Sequence, residues 1–111
     1  MLDRLAGQIE RYMDLLSARQ KLVASNIANA DTPGYRTRDI DFLAEFASAM
    51  GMAPRVTGVP GLPVKTDGND VSLDREARLL AENALRFQLA SNLMRGELRQ
   101  IRSAIEGGNS S

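Results

Sequence analysis

The chain has 111 residues, no cysteine and no histidine, and its 14 lysines and arginines balance 14 aspartates and glutamates. This excludes a disulfide framework or thiolate metal site. It also removes the commonest general base and leaves no net charge to draw the chain to nucleic acid or an anionic membrane. One domain is the expectation for this length, and with three Phe, two Tyr and no Trp its apolar packing falls to Leu, Ile, Val, Ala and Met, as in helix bundles.

In chain order, Leu2 to Ala30 reads as one helix of roughly 45 Å. Leu5, Ile9, Tyr12, Leu16, Arg19, Val23, Asn26 and Ala30 follow an unbroken four-three step, a coiled-coil-like seam interrupted by Arg19, Gln20 and Asn26. No apolar run approaches the ~20 residues of a membrane span. The opening residues carry charges inside the apolar pattern and lack a secretory signal's apolar core and cleavage site. On their own they point to the cytoplasm.

The helix ends at Asp31-Thr32-Pro33-Gly34-Tyr35. Pro33 has no N–H and pushes Thr32 from helical dihedrals, and Pro33-Gly34 suits the centre of a type II turn. Residues 36–42 then alternate charge and end on Ile40 and Phe42, and 42–50 is predicted to form a short amphipathic helix. Residues 51–71 hold three of the four prolines and read as a flexible loop, with brief extended pieces at 55–57 and 62–65 and a turn at 67–70. Such a stretch is expected to be mobile or ordered by a partner.

Ser72 is a candidate N-cap, with Asp74 and Glu76 in the first turn. A second helix follows over 72–106, with the stripe Leu73, Ala77, Leu80, Ala84, Phe87, Ser91, Met94, Leu98, Ile101, Ile105. Gly107-Gly108 is expected to end it, leaving a polar tail at 107–111. The fold expectation is therefore all-α: two long terminal helices joined by a Pro/Gly-rich flexible middle, in a single domain over 1–111.

Chemistry finds little purchase. Asp39 and Asp41 share a face of an extended backbone, but the ordinary reading is a solvated edge. The 67–70 run lacks the ligands of a calcium loop, and no phosphate loop or nucleophile–base pair is present. Neither a cofactor nor a metal is expected, and the chain reads as a non-enzyme. The apolar stripes say more. A two-helix hairpin leaves much of two wide apolar faces bare, and bare faces of that size mark association surfaces. Leu16, Val23, Asn26, Ile27, Asn29, Leu80, Phe87, Met94, Leu98 and Ile101 are the candidate packing positions. Asn26 on the seam would be satisfied in one register against a neighbour.

The stretch VASNIANADTPGYRTRDIDF at 23–42, with NDVSLDREARLLAENALRFQLASNLMRGELRQIRSAI at 69–105, resembles the bacterial flagellar axial proteins of the rod and hook. The resemblance implies a structural role: subunits whose terminal helices pack as coiled coils around a channel in the rod that crosses the periplasm. It implies self-association, contacts with the rod protein FlgC and the adaptor FliE, and export by the flagellar type III apparatus without a cleaved signal. In that setting Asp31, Thr32, Pro33, Gly34 and Tyr35 would contact neighbours. Phe42 and Phe46, in a Phe-xxx-hydrophobic pattern, would be a possible export-gate element. No nucleic acid partner and no membrane insertion are implied. The alternative is a soluble helical adaptor or chaperone-like module.

Overall fold

The structure, a computed structural model, describes residues 2–48 and 53–109. Its elements are α1 (Leu2–Ala28), β1 (Arg38–Ile40), α2 (Phe42–Ala47), β2 (Val56–Gly58) and α3 (Leu73–Asn109). Helices α1 and α3 lie side by side and antiparallel: Asn26 meets Glu76, and Gln20 meets Asn83 farther back along the pair. The result is a slender rod of 71 × 25 × 17 Å.

The mostly helical plan with long terminal helices holds, with a two-stranded ribbon added. β1 and β2 pair antiparallel, Arg38 opposite Gly58 and Ile40 opposite Val56. So short a ribbon is not stable alone. It persists because β1 buries Asp39 and Ile40 against α1. β2 falls on the first expected extended piece, whereas 62–65 forms no strand.

The chain turns at Thr32–Tyr35 with the Tyr35 N–H donating to the Thr32 carbonyl at 3.2 Å. Gly34 there has φ +76°, a conformation that L side chains resist. Gly68 has φ +85°, and a Cβ on it would stand 3.4 Å from the Gly34 Cα. Two glycine-bearing turns are thus laid against each other.

Three expectations need correction. Residues 65–71, read as part of a mobile loop, are bound to the end of α1. The Asn69 amide donates to the carbonyls of Asn29 and Thr32 at 2.9 and 2.8 Å, and the Lys65 ammonium to that of Ala30 at 3.0 Å. A helix end leaves its last carbonyls without partners, and here a segment about 40 residues downstream supplies donors. Gly107-Gly108 does not stop α3, which runs through to Asn109; a glycine lowers helix stability by about 1 kcal/mol without forbidding the helix. Finally, α2 is shorter than the expected 42–50 helix: the Ser48 N–H closes it by donating to the Ala44 carbonyl. Ala49 and Met50 lie outside the described residues.

The apolar core is small: Leu15, Leu16, Ile40 and Phe42, with Tyr12 and Leu22 against it. Tyr12 meets Phe42 and Phe46 edge-on, at centroid distances of 5.2 and 5.4 Å, contacts worth about 0.5–1.5 kcal/mol each beyond the area they bury.

Candidate assembly site

Two features could serve assembly: the elbow where α1, β1 and the start of α3 meet, and the outer surface of α3. At the elbow, Asn26 is 1% exposed. Its Nδ2 donates to the Arg38 carbonyl at 2.9 Å and to Glu76 Oε1. Its Oδ1 accepts from the Tyr35 hydroxyl and the Arg38 N–H, both at 3.1 Å. The partners expected from a neighbouring subunit are therefore found within the chain, because the turn at 32–35 brings β1 back alongside α1.

Next to it sits a buried ionic cluster. Arg19 grips Asp39 with two hydrogen bonds, at 3.0 and 2.9 Å, and Arg75 bridges Asp39 to Glu76. Asp39 is thus not on a solvated edge. Asp39 and the adjacent Ile40 are both buried, so Asp39 is drawn inward by the guanidiniums of Arg19 and Arg75, while Asp41, just past the strand, faces water and caps α2. Burial pushes the Asp39 carboxyl up, but hydrogen bonds from Arg19, the Ile40 N–H and Arg75, together with the Arg19 charge, outweigh it and hold it below the usual carboxylate range. Arg75 is opposed by burial and is raised on balance by Asp39 and Glu76. Asp70 follows the same logic: burial pushes it up, and the Thr37 N–H and hydroxyl, with Arg36 beside it, bring it below its ordinary value.

The ten candidate packing positions divide. Leu16, Val23 and Asn26 are interior to the chain, each about 1% exposed, so they hold the subunit itself. Asn29 is half-buried and donates back to the Ser25 carbonyl. Met94 and Ile101 are half-buried, while Ile27, Leu80, Phe87 and Leu98 are exposed. At the corner, Asp31, Thr32, Pro33 and Gly34 are exposed and Tyr35 is half-buried. Phe42 is in the core and Phe46 is half-covered by Tyr12.

The face that α3 turns inward is not its apolar stripe. Its buried residues are Glu76, Asn83, Ala90 and Glu97, every seventh position. They lie three residues, or roughly 60° round the helix, from Leu73, Leu80 and Phe87. A polar line thus joins the hairpin, with Glu76 on Asn26 and Asn83 on Gln20 at 3.1 Å. Two apolar flanks stay bare on either side of it: Leu73, Leu80, Phe87, Leu98 and Ile105 on one, Leu85, Leu89 and Leu93 on the other. Leu89 and Leu93 of the second flank, with Leu5, Ile9, Tyr12 and Phe46, line a groove of about 370 Å³.

Reading the stripe by its greasiest residues missed the inward face, as well as Arg19, Asp39, Lys65, Asn69, Arg75 and Glu76. One signal was available: Glu76, Asn83 and Glu97 keep the seven-residue spacing of a seam while being polar. Among the described residues, no helix is long and apolar enough to cross a membrane.

A rod-shaped hairpin with a locked elbow and bare apolar flanks describes a structural subunit of a helical assembly, and the comparisons agree. The model for flagella basal body rod proteins matches residues 13–36, the end of α1 and the Pro-Gly corner. The chain is 33% identical over 138 aligned positions to flagellar basal body rod protein FlgB of Salmonella typhimurium, covering 98% of this chain and 100% of that one. It is 30% identical with the same coverage to FlgB of Escherichia coli K12. To FlgB of Cereibacter sphaeroides it is 38% identical over 111 positions, covering 84% of this chain and 87% of the relative. The chain belongs to the FlgB family of flagellar basal body rod proteins. It is a structural subunit of the rod and not an enzyme, and it associates with other components of the basal body. Spreading 111 residues over 138 positions means that the Salmonella relative carries residues that this chain lacks.

Proposed function

We propose that the bare flanks of α3 carry the contacts between subunits in the rod, and that the elbow sets the shape each subunit brings to them. One observation carries this reading: α3 spends its inward face on polar residues and leaves Leu80, Phe87, Leu93 and Leu98 exposed. A chain that buried its greasiest stripe internally would have no need of neighbours. The two flanks also differ in composition. A contact between unlike surfaces repeats without closing into a pair, and where its rotation does not close a ring it builds a helical filament. Copies of this chain, FlgC and FliE are the partners in this reading, reached after export as a single domain with helical ends. Of the ten candidate positions, Ile27, Leu80, Phe87, Met94, Leu98 and Ile101 then serve contacts between subunits. The exposed corner at 31–34 is a further contact.

The test is the double variant Leu80→Ser with Phe87→Ser. Both side chains are exposed, so the monomer's melting curve should shift little. Losing two apolar contacts of about 1 kcal/mol each, both side chains being already partly covered in the subunit, should weaken assembly by about thirtyfold, read by sedimentation and by rod incorporation in a strain lacking its own copy. Unchanged assembly would remove these flanks from the reading.

Phe42 and Phe46 fit an export element only in the unfolded chain, since folding buries Phe42. Phe42→Ala should weaken the core by about 3–5 kcal/mol. A weaker fold eases threading, so a fall in secretion would report recognition and not stability. Secretion at or above that of an Ile40→Ala control would end this assignment.

A further inference from the structure

The chain carries two clusters of like charge on opposite outer surfaces. On α1, Glu10 and Asp14 are four residues apart, exposed, and roughly half a turn round the helix from buried Leu16 and Val23. The small residues Gly7 and Ser17 flank them on the same stripe, with exposed Arg4 and Lys21 beyond. On α3, Arg95, Arg99 and Arg102 are exposed around Leu98, roughly half a turn from buried Ala90 and Glu97. Like charges at this spacing repel. Among the described residues no ion pair reaches Glu10, Asp14, Arg95, Arg99 or Arg102; Arg95 donates only to Asn92, at 3.2 Å. Glu106, one turn beyond Arg102, forms no ion pair with it. Residues 102–106 are exposed throughout, so this part of α3 stands clear of the other described residues.

The two clusters cannot meet within one molecule, because each looks away from the hairpin's seam. They match between molecules. Glu10–Asp14 and Arg95–Arg99 have the same four-residue spacing, about 6 Å along a helix, and opposite sign. Leu98, 55% exposed amid the arginines, would find room for close approach at the small residues Gly7 and Ser17. We propose that the uncovered end of α3 in one copy docks across the outer face of α1 in the next, with Arg95 and Arg99 on Glu10 and Asp14. This rests on the rod-subunit reading and names the two surfaces joined. An anionic bilayer would also take a basic amphipathic helix end. The matching acidic pair in the same chain and the zero net charge favour a second copy.

The experiment uses the full chain in three charge variants: Arg95→Glu with Arg99→Glu; Glu10→Arg with Asp14→Arg; and all four together. Circular dichroism should show the same melting for each, since every position is exposed. Each reversed pair should raise the concentration needed for sedimentable assembly by about tenfold at low salt, less at high salt, and the fourfold swap should restore it. Neutral pairs, or a swap that fails to rescue, overturn this docking while leaving the rod reading intact if assembly still depends on Leu80 and Phe87. Arginine-dependent binding to phosphatidylserine vesicles with no effect of the acidic pair would assign the patch to lipid and also overturn it. A wild-type chain that stays monomeric at every concentration and is not incorporated into rods overturns both.

Discussion

Replacing Asp39 by alanine should be among the most damaging single changes in this protein, lowering stability by about 3–5 kcal/mol. Two guanidiniums, on α1 and α3, converge on this one carboxylate, and all three side chains are largely buried. Removing the acid leaves Arg19 without the carboxylate it grips, and Arg75 with Glu76 alone. It also frees the Ile40 N–H, which Asp39 Oδ1 accepts at 2.8 Å. The same carboxylate fixes a pH dependence. Its folded pKa is lower than its unfolded value, so its stabilisation is fully present above about pH 4 and declines as pH falls through the folded value. Asp70, shifted in the same direction, adds to the trend. Denaturant titrations at pH 7 and pH 3 should show the wild type losing stability in acid and Asp39→Ala losing less. An Asp39→Ala chain as stable as wild type at pH 7, or with equal acid sensitivity, would contradict this account of the elbow.

Asn26→Leu should likewise lower stability by at least about 3 kcal/mol, although leucine suits a helix and a seam better. The amide serves four groups at once: the Arg38 N–H and carbonyl, the Tyr35 hydroxyl and the Glu76 carboxylate. Leucine leaves all four without that partner, and Glu76, 0% exposed, keeps Arg75 as its partner. Helical content should persist, because α1 keeps its propensity, while the elbow loosens and the unfolding midpoint falls. Hydrogen exchange should find the Arg38 amide unprotected first. If stability stayed at the wild-type value and only assembly changed, Asn26 would after all be a register residue between subunits.

Much of the fold was legible along the chain. The four-three spacing from Leu5 to Val23 and from Leu73 to Ile105 marks long helices, because a helix brings such positions to one side. Pro33-Gly34 marks the corner, because one residue lacks an N–H and the other accepts positive φ. Ser72 acts as expected, accepting from the Arg75 N–H at 3.2 Å. These are local effects, decided within a few residues.

Partner choice is not local. Asp39 finds Arg19 and Arg75, 20 and 36 residues away in sequence, and Asn69 reaches back 40 to the Asn29 carbonyl. Periodicity says that a stripe exists; it does not say which face of a helix turns inward. Here the inward face of α3 is chosen by the elbow, where Asn26, Asp39, Arg75 and Glu76 satisfy one another in one rotation of the helix. Leaving the buried charges of Asp39, Arg75 and Glu76 unpaired would cost several kcal/mol per ion, more than a buried leucine gains, so the polar match wins and the apolar stripe is left outside. Helices, corner and caps thus follow from short-range sequence, whereas the rotation of α3, and with it which apolar residues stay exposed, was settled only when distant charges met.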